Sequence, residues 1–276
     1  MAIAAAWLAV ILALPSLPAS ARELRLDGHF VQGGLVMGVT EPGAKVRLGG
    51  RAVRVTEAGR FIIGFGRDAP GEALLELSLP DGRVERHRLT IEKRAYPVQR
   101  IDGLPPKMVT PPEAVLARIR AENARIAAAR AVDRPEALFE SGFVWPAVGP
   151  ITGVFGSQRV LNGRPRRPHY GLDIAAPEGS PVKAPADGVV ALAHRDMYYT
   201  GGTVLLDHGH GLTSVYSHLK RVWVEAGDRL RQGDPIGVVG GTGRATGPHL
   251  DWRVNWFDQR LDPALLVPPM PETGPN

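Results

Sequence analysis

A histidine and an aspartate that lie two residues apart, His249 and Asp251 in the stretch GPHLDWRV, carry side chains that bind metal ions in proteins. Polar and apolar residues alternate in this stretch, as they do in a half-buried strand. His249, Asp251 and Arg253 should therefore point to one side, and the apolar residues between them into the core. Two ligands do not complete a metal site, so another segment must supply the rest.

A second pair, His169 and Asp173, lies four residues apart in PHYGLD. Pro168 and Gly171 argue against a helix here, and a fully extended strand would separate the pair by roughly 13 Å. Two ligands of one zinc ion lie no more than about 4 Å apart, so the backbone must curl between them, as Gly171 permits. With one residue of the first pair, these side chains would form three protein ligands and leave a fourth position for water, as in a hydrolytic zinc site.

Two further stretches contain histidines. His218 stands in the apolar stretch YSHL, where a histidine outside the metal shell could assist proton transfer or stabilise an oxyanion. The stretch DHGHG offers His208 and His210 in a His-x-His arrangement. Its glycines, set between two strand-like runs, favour a hairpin turn over a second metal site.

Taken together, three stretches resemble the LytM/lysostaphin-type zinc metallopeptidases, which cut the peptides of peptidoglycan. They are HYGLDIAAPEGSPVKAPADGVV, VLLDHGHGLTSVYSHL and VEAGDRLRQGDPIGVVGGTGRATGPHLDWRV. The resemblance covers about residues 145–267 and implies a compact antiparallel β core with an open groove. It further implies one Zn²⁺ per chain held by His169 and Asp173, with His218 and His249 as the catalytic histidines.

The chain departs from that family at one position. The family's last motif is His-Leu-His, and its second histidine is the third zinc ligand, whereas this chain has Asp251 there. Aspartate is a competent zinc ligand, so we expect the metal shell to be His169, Asp173 and Asp251. Two carboxylates should leave zinc a weaker Lewis acid, which favours slower hydrolysis or a harder ion.

Three functions are compatible with these motifs. The first is a metalloendopeptidase that hydrolyses peptide cross-links of peptidoglycan with a metal-bound water and two histidines. The alternative is a catalytically degenerate relative that binds the wall or activates a partner amidase, in or near the cell-division machinery. The third is a biotinyl or lipoyl carrier domain, suggested by VEAGDRLRQGDPIGVV, but Lys183 in PVKAP lacks the hairpin setting of a modified lysine.

The elements around these motifs predict a mostly β protein. Short alternating runs, including two strands joined by a turn at Asp81-Gly82, predict a small N-terminal immunoglobulin-like β-sandwich. An Ala- and Arg-rich stretch predicts a helix with Thr110 as its N-cap that ends near Ala131, within a linker between the two domains. The predicted divisions are a signal peptide (1–21), the sandwich (22–96), the linker (97–144), the peptidase-like domain (145–267) and a Pro-rich tail (268–276).

Composition and the N-terminus indicate the compartment. The first 21 residues resemble a secretory signal peptide, with an apolar run at 4–14 that is shorter than the ~20 residues of a membrane span. We expect secretion to a Gram-negative periplasm and no stable membrane insertion after cleavage. The 276 residues include no cysteine, so no ligand can be a thiolate. The net charge of +5 is mild, and without a nucleic-acid-binding motif it predicts no nucleic-acid partner.

Overall fold

The computed structural model describes residues 23–103 and 109–271. The predicted signal peptide and the last residues of the predicted tail lie outside this part. The fold is mostly β, as the sequence predicted, with antiparallel sheets and one longer helix among the described residues. None of the helices in the described ranges is long and apolar enough to cross a membrane.

The N-terminal strands form two antiparallel sheets, ordered β1-β2-β5 and β4-β3-β6-β7. Apolar residues of both sheets, such as Phe61 and Leu75, belong to one buried cluster. The predicted hairpin is confirmed, because β6 pairs with β7 around a turn at Asp81-Gly82. The strands are β1 (Arg25–Gly28), β2 (Leu35–Val39), β3 (Lys45–Leu48), β4 (Arg51–Val53), β5 (Arg60–Gly64), β6 (Glu72–Ser78) and β7 (Val84–Thr90).

The connecting segment contains strand β8 (Val98–Ile101), a 3₁₀ turn (Glu113–Val115) and helix α1 (Leu116–Arg130). The prediction of Thr110 as N-cap was wrong. Pro112 caps the 3₁₀ turn in an extended conformation, and no side chain caps either element. Each residue that precedes a proline is kept out of the helical region, so the Pro111-Pro112 pair delays the helix by several residues.

A large antiparallel sheet of eight strands forms the second half of the chain, in the order β18-β14-β15-β16-β20-β12-β9, with β21 paired to β20. Its strands are β9 (Ile151–Gly153), β12 (Leu172–Ala175), β14 (Gly188–Met197), β15 (Gly201–Gly209), β16 (Leu212–Leu219), β18 (Arg229–Leu230), β20 (His249–Trp256) and β21 (Gln259–Leu261). Two small sheets flank it, β11-β10-β8 and β13-β19-β17. They contain β10 (Gln158–Leu161), β11 (Arg164–Pro165), β13 (Pro181–Lys183), β17 (Arg221–Val222) and β19 (Pro235–Val238).

Both faces of this sheet are covered at its centre, and all of β15 and β16 is therefore buried. On one face, Leu205 and Val215 pack with Ile126 of helix α1. On the other face, Leu250, Trp252 and Val254 are fully buried in the main core, which confirms the alternation predicted for β20. Two 3₁₀ turns complete the described elements, Leu138–Ser141 and Pro263–Leu265.

Two segments at the ends of the predicted peptidase-like domain meet in space. The indole Nε1 of Trp145 donates a hydrogen bond to the carbonyl of Pro268 at 2.8 Å, and its ring packs edge-on against Trp252. The N-terminal sheets share the same apolar cluster as this half of the chain. The division into separate domains at residues 96 and 145 stays a proposal.

Candidate metal centre

The fold brings His169, Asp173 and Asp251 to one point beside the large sheet. One ligand-type atom from each side chain lies within 4.8 Å of the other two, and all three residues are buried. Asp173 and Asp251 are direct partners across strands β12 and β20. His169 lies before β12 begins. Its Nε2 atom is only 3.1 Å from Asp173 Oδ1, so the backbone between the two residues is not fully extended, as the sequence required if both were to reach one ion.

The donor atoms of this group lack the hydrogen bonds that buried polar atoms normally make. Within the described ranges, both ring nitrogens of His169 and the Oδ1 atom of Asp173 are buried without a hydrogen-bond partner. His169 Nε2 nevertheless lies 3.1 Å from Asp173 Oδ1. Two ligands of a tetrahedral zinc ion are about 3.3 Å apart, so this spacing suits a cation placed between them. The residues present therefore fit a divalent metal ion.

An arginine pairs with each of the two carboxylates. Arg159 of β10 donates from Nη2 to Asp173 Oδ2 at 2.7 Å, and its Nε donates to Gln99 Oε1 of β8 at 3.2 Å. Arg253 donates from Nε to both oxygens of Asp251, at 2.9 and 3.1 Å, and from Nη2 to Oδ2. Neither arginine has a role that the sequence alone indicates.

These pairs keep both carboxylates ionised. Burial on its own raises the pKa of Asp251, but the charge and hydrogen bonds of Arg253 outweigh it and hold that pKa well below the ordinary value. For Asp173, burial also raises the pKa, whereas contacts with His169 and the charge of Arg159 lower it, with a net decrease. Ionised carboxylates are the form that binds a cation.

His218 and His249 lie next to the three-residue group, with ring centroids 4.7 Å apart. His218 Nδ1 is 2.8 Å from the carbonyl of Thr242, and His249 Nδ1 is 2.8 Å from the carbonyl of Gly247. A carbonyl oxygen only accepts, so Nδ1 carries a proton in both rings, and Nε2 is the atom that holds the lone pair when a ring is neutral. The Nε2 atom of His249 lies 3.9 Å from Asp173 Oδ1, so it faces the group.

The position of His218 is strained. Its φ of 67° is in the left-handed region, which is uncommon for a residue with a side chain, and its amide donates to the carbonyl of Thr200 at 2.7 Å. Such strain often occurs at functional sites. Burial is the main cause of a lowered pKa at His218, which keeps the ring neutral at neutral pH.

Two glycines make room for the carboxylates. A Cβ at Gly171 would lie 2.6 Å from both Asp251 Oδ1 and the Cγ of Arg253. A Cβ at Gly153 would lie 2.2 Å from Asp173 Oδ2. Gly171 therefore serves the site by allowing Asp251 and Arg253 to approach, in addition to the turn that the sequence assigned to it.

A cavity of about 310 Å³ opens beside this group. Its lining includes Asp173, His218 and His249 from the site, and Gln99, Arg159 and Arg244 from the segments around it. A larger cavity of about 620 Å³ lies near β1 and the β6–β7 hairpin, with Arg83 and His87 in its wall. Over the described ranges no three metal-type side chains converge there, so the smaller cavity is the candidate active site.

The other histidines of the motif region have structural contacts. His208 lies between the carbonyl of Asp187 and the hydroxyl of Ser214, at 2.6 and 2.7 Å, and His210 lies 3.1 Å from the carbonyl of Pro135. Strands β15 and β16 form a hairpin around His210, as predicted. Ser217, opposite Asp251 on β16, was missed: its buried hydroxyl has no partner among the described residues.

Comparisons with known proteins show the family to which this chain belongs. Residues 167–263 match the profile of peptidase family M23, and they contain all five predicted site residues. A crystal structure from Pseudomonas aeruginosa that carries the name peptidase M23 is 32% identical, with a TM-score of 0.66, and the alignment covers 86% of this chain and 93% of that one.

Two curated relatives match a shorter segment. The DD-carboxypeptidase/endopeptidase Mpg of Neisseria meningitidis is 42% identical over 106 residues, which is 38% of this chain and 24% of that protein. The peptidoglycan DD-endopeptidase ShyA of Vibrio cholerae is 41% identical over 87 residues, 32% of this chain and 20% of that protein. The match thus spans a quarter or less of the length of these relatives.

Proposed function

Because this chain belongs to peptidase family M23, we propose that it is a zinc-dependent metalloendopeptidase that hydrolyses peptide cross-links of peptidoglycan. One observation carries the proposal. Three metal-type side chains converge within 4.8 Å, and buried donor atoms of His169 and Asp173 have no hydrogen-bond partner in the described part of the chain. Two histidines whose Nδ1 atoms donate to backbone carbonyls stand beside them.

In this proposal His169, Asp173 and Asp251 hold the metal ion. When bound, zinc supplies Lewis-acid polarisation of the scissile carbonyl and lowers the pKa of water. In its neutral form each of His218 and His249 has a lone pair at Nε2, so one of them can accept the proton of the attacking water and later give it to the leaving amine. The carbonyls of Thr242 and Gly247 fix both rings in that tautomer.

The substrate is proposed from the relatives and from the cavity. Mpg and ShyA are named as endopeptidases, and the name of ShyA specifies peptidoglycan. The cavity is lined by His218 and His249, so a peptide bound there would lie next to both proposed catalytic histidines. This substrate would place the protein in the periplasm, with a cell-division or amidase partner as a further proposal.

The degenerate alternative is supported by one specific contact. Both oxygens of Asp251 already accept hydrogen bonds from Arg253, which is how a carboxylate without a metal would be satisfied. In that case the cavity would bind wall peptides or an amidase without cleaving anything. The carrier-domain reading gains no support, because Lys183 lies in strand β13, paired with β19, and not at a hairpin tip.

The test combines metal content with digestion of isolated peptidoglycan sacculi. We expect the purified protein to retain about one zinc per chain and to release cross-linked peptides as uncross-linked ones, detected by mass spectrometry. Asp173→Ala should lose both the zinc and the release. Bound zinc without any cleavage would favour the degenerate alternative, and a wild-type protein that binds no divalent ion would refute the metal site.

A further inference from the structure

We infer that Arg253 cancels the charge of Asp251, so that the aspartate–arginine pair acts toward the metal as a neutral ligand, as a histidine would. This inference rests on the proposed metal site. It concerns the one position at which the chain departs from the His-Leu-His pattern of its family. It explains how a carboxylate can occupy that position without changing the charge that the metal meets.

The contacts between the two side chains are close and numerous. Asp251 and Arg253 lie two residues apart on β20, so both project from the same face of the strand. Arg253 Nε lies 2.9 and 3.1 Å from the two carboxylate oxygens, and its Nη2 also donates to Oδ2. Only 2% of the Asp251 side chain is exposed, against 31% of the Arg253 side chain, so the carboxylate is buried and the arginine is partly exposed.

The absence of a side chain at Gly171 leaves space for both Asp251 and Arg253. A Cβ at Gly171, between His169 and Asp173, would collide with Asp251 Oδ1 and with Arg253 Cγ at 2.6 Å each. The missing side chain at that position therefore accommodates the aspartate and the arginine together. A neutral histidine at 251 would offer Arg253 no negative charge with which to pair.

Asp173 is also paired with an arginine, so the two carboxylates of the group face two guanidinium groups. Arg159 binds Asp173 Oδ2 at 2.7 Å and leaves Oδ1 without a hydrogen bond, facing His169 Nε2. Each carboxylate of the group is thus offset by one guanidinium. A cation at this point meets no net negative charge from the paired side chains, so the weaker Lewis acidity expected for two bare carboxylates does not follow.

Removal of the Arg253 side chain should change zinc affinity in opposite directions for a charge-cancelling role and for a purely structural role. If Arg253 only holds Asp251 in place, its removal weakens zinc binding. If Arg253 cancels charge, its removal exposes the metal to an unbalanced carboxylate and tightens zinc binding by about tenfold or more, because charges at such short range interact strongly in a buried site. Arg253→Lys keeps the charge and should bind zinc as the wild type does.

Replacement of the ligand gives the complementary result. Asp251→His supplies the usual ligand but leaves Arg253 as an unpaired cation beside the metal, so zinc affinity should fall about tenfold or more. Asp251→His combined with Arg253→Met removes that cation and should restore the wild-type affinity. The effects of the two substitutions are therefore strongly non-additive, as expected for residues in contact.

The experiment measures zinc dissociation constants at pH 8 by competition with a chromophoric chelator. The proteins are the wild type, Arg253→Met, Arg253→Lys, Asp251→His and the double variant, each shown to be folded in EDTA by circular dichroism. Arg83→Met is the matched control, since it removes one arginine from an ion pair in the N-terminal hairpin, far from the site. Its affinity should equal that of the wild type.

The outcomes separate the two proposals. Weaker zinc binding by Arg253→Met, or a double variant no better than Asp251→His alone, overturns the charge-cancelling role while the metal site stands. A wild type without zinc binding removes the metal site and this inference with it. If Arg253→Met does not fold in EDTA, the comparison of Asp251→His with the double variant decides the question.

Discussion

Asp173 and Asp251 face each other directly across the antiparallel strands β12 and β20. Like charges in such a pair repel, and two buried carboxylates this close require compensation. Arg159 and Arg253 supply the compensating positive charge, each to one of the two carboxylates. The Oδ1 atom of Asp173 faces His169. The arrangement concentrates oxygen and nitrogen donors around a point that a cation can occupy.

Asp173→Asn should remove most of the metal affinity. The amide keeps the size of the side chain but carries no charge. The atom that replaces Asp173 Oδ1 therefore attracts a cation much more weakly than the carboxylate oxygen does. Loss of an outer-shell partner alone costs about 10–100-fold in metal affinity, so we expect loss of this ligand to lower zinc affinity by about 100-fold or more, and peptide release from sacculi to fall with it. Isothermal titration with zinc measures the first effect.

Asp187→Asn serves as the control for this variant. Asp187 accepts a hydrogen bond from the amide of Gln232 and lies outside the metal-type group. It should bind zinc as the wild type does. Equal loss of zinc in both variants would mean that Asp173 is not a ligand.

His218→Gln and His249→Gln should separate catalysis from metal binding. Each replacement removes an imidazole lone pair but leaves His169, Asp173 and Asp251 in place. We expect zinc content to stay near one per chain, while kcat for a cross-linked peptide falls by about 100-fold or more, the usual contribution of a general base. Zinc analysis and peptide cleavage on the same preparations provide the measurement.

A variant that lost zinc and activity together would reassign that histidine to the metal shell. His210→Gln provides the comparison, because His210 lies at the β15–β16 turn and contacts the carbonyl of Pro135. It should retain both zinc and activity.

The sequence led to the expectation that His169, Asp173 and Asp251 meet, and the fold brings them together, but the sequence did not indicate the contacts around them. Alternation in β20 placed Asp251 and Trp252 on opposite sides correctly, because strand geometry has a fixed period of two. The contact of Arg159 with Asp173 and Gln99 depends on β10 pairing in parallel with β8, 60 residues earlier. No local pattern encodes a parallel pairing of that separation.

The start of helix α1 was predicted wrongly because two local sequence preferences compete there. Thr110 followed by Pro111 and Glu113 has the composition of a helix N-terminus. The second proline keeps its neighbour extended and postpones the helix to Leu116. Arg253 could be placed on the face of Asp251 from the sequence, but its two-oxygen contact needs the space left by Gly171, which only the fold shows.

Gly171→Ala should weaken metal binding and lower stability. The added methyl group would stand 2.6 Å from Asp251 Oδ1, Arg253 Cγ and the carbonyl of Trp252, so the strand or the side chains must shift. Overpacking of this kind costs about 1–3 kcal/mol. We expect the free energy of unfolding to fall by that amount in urea titrations, together with a lower zinc affinity.

Gly71→Ala is the steric control. A Cβ there would make ordinary contacts at 3.6 Å with the end of the Lys93 side chain. Its unfolding free energy and zinc affinity should stay within error of the wild type. Unchanged zinc binding in Gly171→Ala would show that the glycine is not needed to place Asp251.

The free energy of unfolding should decrease as the pH falls from about 6.5 to 4, with His208 as one main cause. Burial lowers the pKa of this fully buried ring to about 4, against an ordinary value of 6.5. In that interval the unfolded chain binds a proton that the folded chain does not. The stability contributed by the neutral ring is therefore complete above pH 6.5 and is lost as the pH falls, on the order of 3 kcal/mol in total.

His208→Asn tests this assignment. The asparagine amide can still donate to the carbonyl of Asp187, but it does not titrate, and it gives up the contact with Ser214 Oγ. The variant should be less stable than the wild type at pH 8 by about 1–2 kcal/mol, yet its stability should change less between pH 6.5 and 4. Urea unfolding at four pH values measures both, with the exposed His29→Asn as control. An identical pH slope in wild type and His208→Asn would assign the acid sensitivity to other groups, such as His218, whose pKa is also lowered by burial.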